Sequence, residues 1–263
     1  MGVTNDELSI FWIDCCRELA RVDDHLALLD DAERRRAQRF FVTDHRQRYI
    51  ICHGRLREIL AAQISDDGSK SSSPLSPKGR GDLPSPPTPA ELRLLKTATG
   101  KPFLDPAQNR FDLCFSLSHS GDWGVVAITR GREIGVDLQQ VRAGIEPLEI
   151  AQRFFTRNEA EAIRLLPGTE QRHQAFLALW ARKEAYLKAC GMALSRMSRF
   201  EISVGLAEPP RLIQDLDDSA AGSRYQLHDL VAPDGYRAAI AWDCILLRRD
   251  GVNPRPYAVT DSL

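Results

Sequence analysis

The sequence predicts an α+β protein, and three observations carry that expectation. A stretch from about Asp31 to Gln63 has helical composition and no proline. From Leu113 onward the apolar residues recur at every second position, the period of a strand. Beyond Thr156, further helical patterns give way to three short strand patterns. Each half thus offers helices followed by antiparallel strands, the segregation that marks the α+β class.

The first helix can be capped by Asp30 or Asp31 and can break near Thr43-Asp44. Between Asp31 and Glu58 it carries eight arginines (Arg34, Arg35, Arg36, Arg39, Arg46, Arg48, Arg55 and Arg57) against four acids. A solvated basic face explains such a run; an anion-binding face is the sharper reading. The segment Ser65–Pro89 holds six prolines, seven serines and no aromatic residue. It cannot bury enough apolar surface to offset its ordering entropy, so a flexible surface excursion is expected over 65–90.

Leu113, Phe115 and Leu117 then alternate with polar residues as a strand, and His119-Ser120-Gly121-Asp122 reads as a turn. Trp123–Thr129 forms the next strand, and Arg130-Gly131 turns the chain into Ile134–Gln139. Thr156-Arg157-Asn158-Glu159 has capping-box spacing and opens a helix that Pro167-Gly168 stops. A longer helix runs from about Thr169 to Cys190, with Gly191 in the position of a C-terminal cap. Strands are expected at Phe200–Val204, Tyr225–Leu230 and Tyr236–Trp242.

Bulk properties narrow the function. With 263 residues and a formal net charge of −1, no global field calls for nucleic acid or an anionic membrane as partner. No apolar run approaches the ~20 residues of a membrane span. The start, Met1–Glu7, has neither the basic region nor the apolar core of a secretory signal. Six scattered cysteines form no Cys-x-x-Cys pair, which leaves zinc and thioredoxin-like chemistry without support and fits a reducing cytoplasm.

Chemistry-bearing residues fall in three places. In Ile134–Gln139 the apolar residues point one way, and Gly135, Asp137 and Gln139 point the other. Gly135 leaves room beside Asp137, whose short carboxylate suits a hard cation such as Mg²⁺; an exposed edge-strand aspartate is the bland alternative. Ser116-Leu117-Ser118-His119 ends a strand, where hydroxyl, imidazole and backbone N–H groups can bind phosphate or merely satisfy a turn. A Ser-His hydrolase is disfavoured, because neighbours on a strand face opposite ways and Gly-x-Ser-x-Gly is absent. Thr99–Phe103 is a basic turn without the glycine spacing of a P-loop. On the long helix, Phe176, Trp180 and Leu187 share an apolar stripe, with Glu184 and Lys188 one turn apart along its edge. That spacing also describes an ordinary surface ion pair.

Taken in order, five segments resemble the signatures of 4′-phosphopantetheinyl transferases. They are Gly100-Lys101-Pro102, Phe115–Ser120, Ile134–Leu138, Arg153-Phe154-Phe155 and Trp180–Lys188. The likeness is to the long form, whose two similar halves lie in one chain, and it spans about Asp31 to Phe200. The resemblance implies a monomeric pseudo-dimer of two α+β halves, 1–134 and 135–263, each with an antiparallel sheet packed on helices and with the active site at their junction. It implies transfer of phosphopantetheine from coenzyme A to a serine of an apo carrier protein (acyl, polyketide or peptidyl), releasing adenosine 3′,5′-bisphosphate. By position, Asp137 and Glu184 become Mg²⁺ ligands, and Gln139 joins the metal site through its amide oxygen or a held water. Glu184 also becomes the proton acceptor, and Lys188 holds a phosphate oxygen. Arg48, Arg36, Lys101, Pro102, Ser118, His119 and Lys183 become coenzyme A contacts.

Gln139 departs from the family, which often has a second carboxylate two residues after the aspartate. A neutral amide brings no charge, so weaker or more water-mediated metal binding is expected. The residues also admit two competing readings. One is a non-catalytic module that docks carrier domains or coenzyme A, favoured only by Gln139. The other is a Mg²⁺-dependent phosphohydrolase, which calls for more clustered aspartates than the chain carries.

Overall fold

The computed structural model describes residues 8–65, 85–142, 144 and 146–245. Most of the expected Ser/Pro excursion, residues 66–84, lies outside them. The elements in chain order are β1 (Leu8–Asp14), α1 (Cys15–Glu18), α2 (Val22–Leu28), α3 (Asp31–Gln38) and α4 (Thr43–Ser65). A hairpin of β2 (Leu94–Lys96) and β3 (Pro102–Leu104) follows, then β4 (Leu113–Ser120), β5 (Trp123–Arg130) and β6 (Ile134–Gln140). Next come α5 (Pro147–Phe154), α6 (Arg157–Arg164), α7 (Thr169–Cys190), β7 (Phe200–Ile202), β8 (Leu212–Asp215), α8 (Ala221–Arg224), β9 (Tyr225–Leu230) and β10 (Tyr236–Asp243). The chain is α+β with antiparallel sheets, as its patterning implies.

Two compact units form. The smaller comprises Asp14–Leu94 and Leu104–Asp112; the larger comprises Met1–Ile13, Leu95–Phe103 and Leu113–Leu263, so far as these are described. In the smaller unit the arginine-rich stretch breaks where Thr43-Asp44 suggested, giving α3 and α4. Asp30 caps α3 through a capping box with Glu33. Leu29, Ala37, Tyr49 and Ile50 form a local core. Arg57, wholly buried on α4, holds Asp30 Oδ2 and Glu33 Oε2 at 2.7 Å each and the carbonyl of Leu92 at 2.8 Å. Part of the arginine run is thus structural.

The larger unit holds two three-stranded sheets, ordered β1-β5-β4 and β6-β10-β9. Their meeting line is unusual, because serine hydroxyls on β4 stand in for backbone carbonyls. Ser116, Ser118 and Ser120 accept the backbone N–H groups of Val136, Leu138 and Gln140 at 3.0, 3.2 and 3.1 Å. The period of two along β4 aims all three hydroxyls at β6.

Helix α7 packs on β6 and β10 and differs from the amphipathic helix that its sequence pattern suggests. It is buried on almost every side, charged residues included. Arg182 is wholly buried, bonding Asp229 at 2.8 and 2.5 Å and the carbonyls of Ser203 and Gly205. Gly191 ends the helix in the left-handed conformation, φ 62°, as its sequence position indicates. Alternation and capping signals do not reveal α5, β1 or β8, which are short or lack a regular period.

Candidate active site

Between Ala175 and Cys190 only Trp180, Glu184 and Lys188 escape full burial. Spaced four apart, they form a single line along α7, the one face of that stretch open to a ligand. Gly135 explains how α7 comes so close to β6. A Cβ there would lie 2.0 Å from the carbonyl oxygen of Ala185 and 2.4 Å from the nitrogen of Ala189. The room that Gly135 was expected to leave for a ligand is therefore filled by α7 itself. Its effect is to press Lys188 and Glu184 against Asp137.

Asp137 is almost wholly buried, and both of its oxygens accept hydrogen bonds. Oδ1 accepts from Lys188 Nζ at 2.6 Å and from Ser118 Oγ at 2.8 Å, and Oδ2 accepts from Gln139 Nε2 at 2.6 Å. Lys188 also donates to Ser118 Oγ and to the carbonyl of Val136, each at 3.1 Å. The sequence offered Glu184 as the partner of Lys188, yet Nζ stands 3.9 Å from its Oε2 and closer to Asp137.

Glu184 Oε1 accepts the indole N–H of Trp180 at 2.7 Å. Burial and the neighbouring Asp137 charge push the Glu184 carboxyl up to about 7, against the pull of Lys188 and Trp180. Two carboxylates held together in a half-buried place make an oxygen-only donor pair whose mutual repulsion a cation relieves. Among the described residues no group of three or more His, Cys, Asp or Glu could hold a metal. Two carboxylates with the remaining positions left to water and phosphate suit Mg²⁺.

The remaining candidates fall in different places. Gln139 presents its amide nitrogen to Asp137, so it supports the carboxylate by donation. The Ser118 hydroxyl serves Asp137, Lys188 and the Leu138 N–H, which uses its donor and both acceptor positions. His119 is exposed on β4. Lys101 and Pro102 help line a pocket of about 240 Å³ with Ser116, Leu187, Lys188 and Gly191.

Lys183 is the clear correction. Named by the resemblance as a coenzyme A contact, it is wholly buried, with Nζ 2.7 Å from both oxygens of Glu159 and from the carbonyl of Phe200. All three of its donors are used within the core, which leaves none for a nucleotide. Arg48 and Arg36 belong to the smaller unit: Arg48 is partly exposed on α4, and Arg36 is exposed with its guanidinium 5.7 Å from the Phe40 ring centroid.

Trp180, on the apolar stripe, has two roles. It packs in an aromatic cluster with Phe154, Phe155 and Phe176 at centroid distances of 5.5 to 5.9 Å, yet its N–H also fixes Glu184. The i, i+4 spacing was the available signal.

The model of the 4′-phosphopantetheinyl transferase superfamily matches residues 133–241, which include β6 and α7. A 4′-phosphopantetheinyl transferase of Nostoc sp., HetI, is 30% identical over 241 residues, covering 92% of this chain and 90% of that protein. A putative 4′-phosphopantetheinyl transferase of Synechocystis sp. is 29% identical, covering 88% and 85%. The 4′-phosphopantetheinyl transferase of Bacillus subtilis is 29% identical over 162 residues, covering 56% of this chain and 69% of that one. With buried Asp137 set against Glu184 and Lys188 inside the matched region, the chain belongs to the 4′-phosphopantetheinyl transferase family and is an enzyme of that class.

Proposed function

We propose that the chain moves the 4′-phosphopantetheine group from coenzyme A to a serine hydroxyl of an apo carrier protein. The observation that carries this reading is the Asp137–Lys188–Glu184 constellation on β6 and α7. A serine oxygen attacks the pyrophosphate phosphorus next to the pantetheine arm. The bond from that phosphorus to the bridging oxygen breaks, and adenosine 3′,5′-bisphosphate leaves. The serine proton passes to Glu184, the carboxylate on the open line of α7. Lys188, partly exposed although its donors are held by Asp137, Ser118 and the Val136 carbonyl, offers a positive charge where phosphate oxygens gather charge, as phosphoryl transfer requires.

Asp137 and Glu184 are the residues that would hold Mg²⁺, which when bound neutralises pyrophosphate charge. Trp180 keeps the Glu184 carboxylate directed, and Ser118 and Gln139 do the same for Asp137. Pro102 and His119 are proposed neighbours of the nucleotide end, with Lys101 on the turn beside Pro102. The two three-stranded sheets are proposed as counterparts, one in each half (1–134 and 135–263), in a monomeric cytoplasmic enzyme serving acyl, polyketide or peptidyl carriers. No helix among the described residues is long and apolar enough to cross a membrane.

The test is to incubate the protein with coenzyme A, Mg²⁺ and an apo carrier, then weigh the carrier. The expected result is a mass gain of one phosphopantetheine, lost in Glu184→Ala with the fold intact by circular dichroism. Coenzyme A binding without mass gain on any carrier would favour a docking module instead.

A further inference from the structure

Lys101 sits on the turn between β2 and β3, and its ammonium is already occupied. Nζ lies 2.5 Å from Glu133 Oε2 and 3.2 Å from the carbonyl of Ala189, with both side chains of the ion pair mostly buried. The same turn makes a second tie to the end of α7, because Thr99 Oγ1 donates to the carbonyl of Gly191 at 2.8 Å. Thr97 braces the turn from within, accepting the Lys101 N–H on its hydroxyl at 3.0 Å and giving its own N–H to the Lys101 carbonyl at 2.9 Å. Glu133 is itself anchored, since its carbonyl accepts the Asp243 N–H at 2.9 Å.

The last four carbonyls of a helix have no partner within it, and they carry the negative end of its dipole. Ala189 and Gly191 lie in this terminal region. Lys101 and Thr99 supply donors there, and Glu133 fixes Lys101 to the start of β6. Three places meet in this cluster: the turn at 97–101, the strand that carries Asp137, and the helix end one residue beyond Lys188. A lysine so placed holds those elements in register.

We propose that Glu133 and Lys101 form a positioning latch that sets the Lys188 end of α7 against Asp137, and that Lys101 does not serve chiefly as a phosphate ligand. This rests on the transfer of phosphopantetheine from coenzyme A proposed above. Neither residue touches the reacting atoms; each acts through the placement of Lys188. Removing either partner takes this counter-charge from the other in a mostly buried place, so the two are coupled energetically.

The test uses the full chain with Glu133→Gln, Lys101→Met, Lys101→Arg and the double variant Glu133→Gln/Lys101→Met. Binding of coenzyme A and of 3′-dephospho-coenzyme A is measured by calorimetry, and kcat and KM by carrier mass gain. The latch predicts that each neutralising single variant lowers kcat about tenfold or more, since small misplacements of reacting groups are costly. It predicts that the preference for coenzyme A over its dephospho form stays within about twofold of wild type and that the double variant is no worse than the poorer single. Lys101→Arg, which keeps the charge and the donors, restores most of kcat.

Loss of the 3′-phosphate preference in Lys101→Met, or tighter coenzyme A binding with unchanged kcat in Glu133→Gln, overturns the latch in favour of a phosphate ligand. If Lys101→Met does not fold, Glu133→Gln decides by the same measurements. A wild-type protein that transfers nothing refutes the parent reading. The binding preferences and the melting temperatures of the double-variant cycle still test the latch in that case.

Discussion

Gln139 presents an N–H to Asp137 where an acidic side chain would repel it, and this one amide sets the charge of the pair. With a carboxylate at that position, a third negative group would join Asp137 and Glu184. The amide instead holds Asp137 Oδ2 at 2.6 Å and leaves two acids for a cation. Gln139→Glu is therefore expected to lower the Mg²⁺ concentration for half-maximal transfer about fivefold or more, because hard cations favour added carboxylate oxygens. A magnesium titration of carrier mass gain checks this, and an unchanged midpoint removes Gln139 from the account. Lys183 makes a different prediction. Lys183→Met leaves Glu159 as an unpaired buried charge and costs about 3–5 kcal/mol by urea unfolding, while KM for coenzyme A in the folded fraction is unchanged. Asp137, Glu184 and Lys188 were legible because they lie in short ordered motifs. The roles of Lys183 and Ser118 were not, because their partners Glu159 and Asp137 are distant in sequence and the pairing exists only after packing.

Elements succeed here by fitting charges into places where pattern reading expects apolar residues. Helix α7 reads in sequence as an apolar stripe of Phe176, Trp180 and Leu187 edged by Glu184 and Lys188, yet Arg182 and Lys183 are charged as well. Folding buries Arg182 and Lys183 against Asp229 and Glu159 and leaves Glu184 and Lys188 in the open line. Its length and its glycine stop were visible in sequence, whereas its central position depends on the bare backbone of Gly135. Gly135→Ala sets a methyl group within 2.0 Å of the Ala185 oxygen, and neither backbone can yield cheaply. A loss of about 3 kcal/mol or more is expected, together with transfer activity, measured by thermal unfolding.

In the smaller unit, α3 and α4 are joined through Glu33. Burial pushes its carboxyl up, but the His53 hydrogen bond and the charges of His53 and Arg57 outweigh that and hold it below its ordinary 4.5. A depressed carboxylate stabilises the fold above its unfolded pKa and loses that contribution as pH falls through the folded value. Glu33→Gln should then lower Tm at pH 7 and flatten its decline below about pH 4.5, where wild type loses the same contribution. A Tm series across that range decides it, and parallel curves would exclude Glu33 as the acid-sensitive tie.

At the scale of the molecule, the α+β class and most strands followed from alternation and turn residues. The joining of the two sheets did not. Ser116, Ser118 and Ser120 read as polar faces of a strand, and nothing local states that hydroxyls will complete a neighbouring strand's hydrogen bonds. Ser116→Ala orphans the buried Val136 N–H and should cost about 1–3 kcal/mol, visible as faster amide exchange at Val136 before any global loss. The middle serine has two duties, since Ser118 both stitches β4 to β6 and donates to Asp137. A slip of one residue between the strands would turn that hydroxyl to the other face and strip the carboxylate of its partner. Assembly and competence are thereby the same event: a chain whose sheets have met in the wrong register is also a chain whose Asp137 carboxylate is misdirected. A misassembled molecule would therefore be silent.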